Sequence, residues 1–317
     1  MRLRPGPGGT DYKGTMADSL SDEHALMKGD HEGQLRRMLT PPTFSDIEQH
    51  RTHLKERLVI ALRIFAKHNF DLIVTGHISV RDPGDPRTFW INPFGLAFSL
   101  VTVPDLVLVD NSGAVIGGGK PGRRIVNQAG FEIHSAIHIA RPDVLVVCHS
   151  HSTYGKAFSS LGKSLDMITL DACSFYNDIA VYSDFGGIAI EESEGTRIAA
   201  ALGKSKAAIL QNHGLLTVGK YIESAVVWFI LLEKQCQVQL LADAAAAGRG
   251  RDTVKISDEA AEFTYRATGG EDVGYFSASP YFQAVEAELG DSYKDSSRVR
   301  SGRSRWLWGV WASIIRR

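Results

Sequence analysis

Val144-Leu145-Val146-Val147-Cys148-His149-Ser150-His151, and further on Ala207-Ala208-Ile209-Leu210-Gln211-Asn212-His213-Gly214, carry the strongest local signal in this chain. Each opens on an apolar run of strand character and closes on histidine. Alternate residues of a strand point to one face, so His149 and His151 converge at the end of the first run. A His-x-His pair alone is weak evidence for a metal, because polar residues commonly end a strand. His213 strengthens it, lying just past the second run and followed by Gly214, which lets the chain turn. If the two strand ends are neighbours, three neutral imidazoles meet with a fourth position open. That is the donor set of a catalytic rather than a structural divalent-metal site.

Outward from these stretches, strands and helices alternate irregularly. Ser45 followed by Glu48 reads as a capping box, opening a helix that carries Leu54, Leu58, Ala61, Leu62 and Phe65 at helical spacing to about Lys67. Asp71–Thr75 and Ile78–Arg81 read as strand material around Gly76-His77, and Pro83, Gly84 and Pro86 turn the chain into Phe89-Trp90-Ile91. Val107–Asp110 is a further strand. Gly117-Gly118-Gly119 reads as a flexible connection, since no Lys-Ser/Thr follows it at phosphate-loop spacing. A helix is expected from Asn127 to Ala140, strands at Ile179–Tyr182 and Ile188–Ile190, a helix from about Ser193 to Leu202, and a long one from Glu223 to Ala247. The connections are too short for uniform βαβ crossovers, so the sheet should be mixed or antiparallel with helices on its faces.

The composition suits such a fold: 317 residues, 44% hydrophobic and 22% charged, with a net charge of −1. From Lys294 to Arg317 the charge is +6, which leaves −7 on the other 293 residues, so nothing in the body recruits nucleic acid. Three scattered cysteines and no apolar leader fit a reducing, cytoplasmic setting, and no run approaches the length of a spanning helix. Residues 1–42 are rich in Gly, Pro and charge and are expected to be a disordered arm, 43–275 the folded domain, and 276–317 a C-terminal extension. That extension ends in Trp306-Leu307-Trp308-Gly309-Val310-Trp311 among arginines. It reads either as a segment on an anionic membrane surface or as one packing on a neighbouring subunit, with the membrane reading the less favoured.

Five ordered motifs make the chain resemble the class II aldolase/adducin family over roughly residues 50–245: Gly76-His77-Ile78-Ser79-Val80-Arg81, Asn92-Pro93-Phe94-Gly95, Arg141-Pro142-Asp143, Val147–His151 and Leu210–Leu215. The resemblance implies a single three-layer α/β/α domain with a mostly antiparallel central sheet. It implies a divalent ion on His149, His151 and His213, zinc first and manganese second. A small-molecule substrate is implied at Gly76, His77, Asn92, Gly95 and Asn127, in a homo-oligomer, expected to be a tetramer, with each site near a subunit boundary. The family holds sugar-phosphate aldolases, an epimerase, dehydratases, aromatic-acid decarboxylases and the non-catalytic adducins, so reaction type is left open.

The departures narrow it. The aldolases of the family carry a catalytic Glu eleven residues before the Arg of Arg-Pro-Asp, and that count from Arg141 reaches Gly130. Glu132 lies two helical steps away, about 200° round the helix. Residues 130, 134 and 138 share a face, which carries His134 and His138; packing or capping is their simpler role, with His134 the catalytic candidate. His77 stands where the aldolases have Asn. Their partner-subunit tyrosine falls by count on Leu170, with Tyr176 the candidate for related space. Asn127-Gln128-Ala129-Gly130 lacks the paired Ser that grips phosphate. His77, Tyr176 and His134 are therefore the expected catalytic residues. Arg81 is expected to be a structural ion-pair partner. Decarboxylation needs no base to remove a proton, so a site that keeps the metal and lacks the carboxylate suits a lyase acting through a metal-stabilised enolate. Decarboxylase-like or aldolase-like chemistry on a small carboxylic or keto acid is expected, and an adducin-like scaffold is the alternative. Leu165–Tyr182 is too apolar for an exposed connection, which makes it either a subunit interface or an internal strand pair.

Overall fold

The computed structural model describes residues 40–187 and 192–294, so most of the N-terminal arm, the strand expected at Ile188–Ile190 and the Trp-rich end of the chain lie outside the described residues. Helix α1 (Ile47–Lys67) is capped by Asp46, whose side chain accepts from the Glu48 N–H, rather than by Ser45. Strands β1 (His77–Arg81), β2 (Thr88–Ile91), β3 (Val107–Asp110) and β4 (Val115–Gly118) form an antiparallel meander. Helix α2 (Gln128–Ala140) leads to β5 (Val146–Ser150) and the short α3 (Thr153–Ser159). Strand β6 (Ile179–Tyr182), helix α4 (Glu192–Leu202), and strands β7 (Ala207–Leu210) and β8 (Gly214–Gly219) precede the long α5 (Ile222–Ala247), followed by α6 (Asp258–Thr268) and α7 (Glu271–Leu289).

The eight strands form one sheet in the order β4-β3-β2-β1-β5-β8-β7-β6, antiparallel at every pairing except the parallel β6–β7. Strand alternation assigns its two faces. Ile78, Val80, Val146, Cys148 and Ile209 turn toward α1, α5 and α7, where Leu62, Phe65, Phe229 and Phe282 complete the larger core. Val147, Leu216 and Val218 turn the other way, toward Ile133 and Ile137 of α2 and Ile198 and Leu202 of α4. The central strands are buried on both faces, so they read as continuous apolar runs rather than as alternation. The expected three-layer, mostly antiparallel architecture is what the chain forms.

Four local expectations are corrected. Asp71–Thr75 is a turn: Thr75 N–H closes on the Leu72 carbonyl at 3.1 Å, Ile73 takes φ 59° and is 83% exposed, and β1 begins only at His77. Without a sheet neighbour, β-branched composition does not make a strand. Gly117-Gly118 belongs to the edge strand β4, and a side chain on Gly118 would meet the Leu106 carbonyl at φ 63°. The domain boundary expected at 275 falls inside α7, whose Ala278, Phe282 and Val285 are buried in the larger core. Helix α5 does pass a length-and-composition test for a membrane span, yet more than half of that window is buried as the central helix of this face. The Leu165–Tyr182 stretch is largely internal: Leu165 and Phe175 pack in that same core, and Leu170, 64% exposed, is left outside.

Helices α2 and α4 cross at Gly195, where a Cβ would fall inside contact distance of the Glu132 carbonyl, a backbone atom that cannot give way. Gly195→Val is expected to cost about 1–3 kcal/mol in denaturant unfolding. Gly270→Ala, at a position facing open space, should stay within about 0.5 kcal/mol.

Candidate metal centre

Register builds the site. In the β1–β5 pair His77 stands opposite His149, and the two rings stack with centroids 5.0 Å apart. His151 follows just past the end of β5. The hairpin from β7 to β8 turns through Gln211, Asn212 and His213, with Asn212 at φ 56°, the left-handed region that asparagine tolerates. Gly214 then passes so close to β5 that a Cβ would lie 2.6 Å from the Ser150 carbonyl. That approach sets His213 against the pair. Ring centroids are 5.2 Å apart for His149–His151, 4.8 Å for His149–His213 and 4.7 Å for His151–His213. One ring nitrogen from each lies within 4.8 Å of the others.

The donor set fits a divalent cation. His149 Nδ1 donates to the Leu215 carbonyl at 2.9 Å, which fixes the tautomer and leaves Nε2 free for the cluster. Burial keeps all three rings neutral, with their lone pairs available: His149 lies well below the usual histidine range, His213 is pushed down to about 4, and His151 is lowered too.

The cluster opens on a cavity of about 370 Å³ whose wall includes His77, Asn127, Ile133, Lys156, Phe185 and Asn212. It shares Thr75, Gly76, His77 and Asn127 as a wall with a second chamber of about 260 Å³ that Asn92 and Gly95 line. The five residues expected to meet substrate therefore all lie on this cleft, although two are already engaged. The Asn92 side-chain oxygen accepts from the Ile78 N–H at 3.0 Å, and that of Asn127 caps α2 at the Gly130 N–H, also at 3.0 Å. Among the described residues no Asp or Glu lines the histidine chamber.

His77 occupies the room that a side chain at position 130 needs. A Cβ on Gly130 would lie 2.5 Å from His77 Cδ2 and 2.6 Å from its Nε2. The missing carboxylate and the imidazole at 77 are thus one structural fact. Glu132 does not substitute for it, since its side chain lines a different cavity on the outer side of α2.

Within one chain, two of the expected catalytic residues do not line the cavity. His134 is fully buried behind His77, its Nε2 2.8 Å from His77 Nδ1, so it reaches the site only through that ring. Tyr176 precedes β6, and the parallel register of β6 with β7 sets it at the opposite end of the sheet from His213. There it faces Asp258 and Glu262 of α6. Arg81 points to the same face as His77 but forms no ion pair among the described residues. It donates to the carbonyls of Pro86 at 2.6 Å, His138 at 2.7 Å and both Arg141 and Val144 at 3.1 Å.

Sequence reasoning missed Lys156, the one Lys or Arg on the histidine chamber among the described residues. It also missed the buried Glu233, which accepts from Ser152 Oγ and from the backbone N–H groups of Tyr154 at 2.9 Å and Gly155 at 2.7 Å, fixing the start of the helix that carries Lys156. The only sequence signal for Lys156 was its position one turn into the segment after His151.

Residues 56–240 match the family profile described as the Class II Aldolase and Adducin N-terminal domain. The chain is 43% identical over 248 residues to a protein named decarboxylase NovR from Streptomyces niveus, covering 78% of this chain and 89% of the relative. It is 41% identical over 252 residues, 79% and 88% of the two chains, to a 4-hydroxy-3-prenylphenylpyruvate oxygenase/4-hydroxy-3-prenylbenzoate synthase from Streptomyces roseochromogenus subsp. oscitans. A solved structure named L-fuculose 1-phosphate aldolase, from Glaciozyma antarctica PI12, superposes with a TM-score of 0.75 at 59% identity, covering 81% of this chain and 97% of the other.

A double-mutant cycle checks the packing of His77 on Gly130. Gly130→Ala alone is expected to destabilise by about 1–3 kcal/mol, as overpacking does. In a His77→Ala background the cost should vanish or reverse, because alanine is the better helix former by roughly 0.8–1 kcal/mol. Equal costs in both backgrounds would show that the imidazole is not what fills the space.

Proposed function

The chain belongs to the class II aldolase and adducin family, and from that premise we propose that it is a metal-dependent lyase releasing CO₂ from a small carboxylic acid whose carbonyl lies β to the carboxylate. The observation that carries this reading is a cavity that, among the described residues, pairs three imidazole donors and one lysine with no carboxylate. His149, His151 and His213 would hold the ion, which supplies Lewis-acid stabilisation of negative charge as the enolate develops.

The chain's own groups do the rest. Lys156 offers a cation to the anionic substrate. Its position is held through Glu233 and the start of α3. Ile133 and the half-exposed Phe185 give the far wall an apolar and aromatic character that suits an aryl or alkyl substituent. His77 faces the same space without a charge, since burial pushes it down to about 3. When the bond to the carboxylate breaks, its electrons stay on the carbon as enolate, CO₂ departs, and one proton taken from solvent completes the ketone. No group has to abstract a proton first, which is the step that a carboxylate at position 130 would serve.

The name of the 59%-identical solved relative favours a second reading, cleavage of a sugar phosphate. Against it stand Gly130, the missing Ser pair at Asn127-Gln128-Ala129-Gly130 and, among the described residues, a single Lys or Arg in the cleft. We also propose a homo-oligomer, supported by the exposed apolar patch of Leu72, Ile73 and Val74, the last two of which line the second chamber.

Purified protein is expected to carry one divalent ion per chain by elemental analysis, lost in a His149→Ala, His151→Ala double variant. With the ion present, β-keto acids bearing alkyl or aryl groups should yield CO₂, and L-fuculose 1-phosphate should remain intact. Cleavage of the sugar phosphate without CO₂ from any acid would sink the decarboxylase reading, and absence of a stoichiometric ion would favour the scaffold. Light scattering should give a multiple of 34.7 kDa; a monomeric mass would remove the oligomer.

A further inference from the structure

Behind His77 a file of polar groups runs into the protein along the face shared by β1 and α2. His77 Nδ1 lies 2.8 Å from His134 Nε2, His134 Nδ1 lies 2.6 Å from Ser79 Oγ, and Ser79 Oγ lies 2.8 Å from His138 Nε2. Ser79 and His134 have no exposed surface, and His138 has 3%. We infer that His138, Ser79 and His134 are positioning residues that together lock the tautomer of His77, holding its proton on Nε2, so that His77 meets an anionic oxygen of the substrate as a neutral hydrogen-bond donor.

Proton counting limits the alternatives. A neutral imidazole carries one N–H and a serine one O–H. Ser79 touches two ring nitrogens, so it donates to one and accepts from the other, or else leaves its own proton without an acceptor. The protons of the file therefore all point the same way. In one arrangement His138 Nε2–H donates to Ser79, Ser79 donates to His134 Nδ1, His134 Nε2–H donates to His77 Nδ1, and His77 keeps its proton on Nε2. In the other, every bond is reversed: His77 shows a bare Nε2 to the cavity and His138 carries its proton on Nδ1.

The inner end decides between them. His138 Nδ1 is buried and makes no hydrogen bond. The Val144 carbonyl is the acceptor that reaches this ring, and it already takes Arg81 Nε at 3.3 Å and Nη2 at 3.1 Å, so an N–H on Nδ1 would have to compete with a guanidinium for it. A buried N–H that must compete for an engaged acceptor is costlier than a bare lone pair. The Arg81 guanidinium, close enough to act on this ring electrostatically, also prefers a lone pair beside it to an N–H. The first arrangement is thus favoured, by roughly tenfold or more, the fold-change of leaving one buried donor unpaired.

Two consequences follow at the cavity. A protonated Nε2 cannot ligate a metal, so the donor set stays at three imidazoles although His77 stacks on His149. A fixed neutral donor aimed where negative charge develops needs no reorganisation during the reaction. This last use of the lock rests on the proposed decarboxylation, while the lock itself does not.

The test is ¹⁵N NMR of the full-length protein labelled at histidine, without substrate, before and after one equivalent of Zn²⁺, with the His77 signals assigned by a His77→Gln variant. His77 should show a protonated Nε2 and an unprotonated Nδ1 in both states. Ser79→Ala, which cuts the file, should move both His77 shifts toward intermediate values. His138→Gln, whose amide N–H₂ can still donate to Ser79, should restore the wild-type pattern and keeps the test available if Ser79→Ala does not fold. A bare Nε2 in the wild type, or wild-type shifts in Ser79→Ala, overturns the lock. A lock observed in a protein that releases no CO₂ would count against the proposed reaction alone.

Discussion

The pairing that sets His77 opposite His149 is the constraint on which the rest of the site depends. A slip of one residue between β1 and β5 would turn His77, Ser79 and Arg81 into the apolar core beneath α1 and α5, and would bring Ile78 and Val80 out beneath α2. The apolar residues hold the register. Ile78, Val80, Val146 and Cys148 are all buried among α1 and α5, so any slip would expose them to a polar face. The larger core, which touches no substrate, thereby dictates where the imidazoles stand.

Helix α2 is pinned at both ends in a way that finishes this arrangement. Asn127 caps its start, and Arg81 sits among the carbonyls of His138, Arg141 and Val144 at its end, a cation at the negative pole of the helix. Between those points Gly130 lies under the His77 ring. The opposite layer is tied in as well. Glu233 belongs to α5, yet its carboxylate accepts the free N–H groups at the start of α3, and that helix carries Lys156 into the cavity. One helix from each side of the sheet therefore holds a part of the site.

What could be read from the sequence was what depends on short-range periodicity. The convergence of His149 and His151 follows from strand alternation, and the turn at His213-Gly214 from a glycine after an apolar run. The long helices and the character of the sheet follow from the same patterns. Contacts between distant segments were not legible. Gly130 and His77 looked like two separate departures from a family pattern, because nothing local says that one fills the space of the other. The file through Ser79 and His138 needs the facing of β1 against α2, which no spacing within either segment encodes. The count from His151 reaches Leu170, and Tyr176, the nearby candidate for a partner-subunit tyrosine, lies at the far end of the sheet from His213 of its own chain. Asp71–Thr75 had strand composition without a strand to pair with.

The contact between positions 77 and 130 also bears on how one fold serves unlike reactions. The family pattern of the aldolases that this chain resembles pairs an amide at 77 with a carboxylate at 130. Here the larger imidazole takes the space above position 130, and glycine at 130 is the residue that leaves room for it. Neither change is tolerable alone: a carboxylate at 130 would collide with the ring, and glycine at 130 without the ring would open a void beside a buried polar file. Against the pattern of those aldolases, the pair sets an uncharged ring over Gly130 where a base and a negative charge would stand. Under the proposed reaction, a substrate that must lose a proton is disfavoured because no base stands at 130. A substrate that arrives as a carboxylate gains, because no negative charge at 130 repels it and Lys156 lines the same cavity. On the proposed decarboxylation, the choice of chemistry lies in one pair of residues in contact across β1 and α2, while the three converging imidazoles are placed by the strand register.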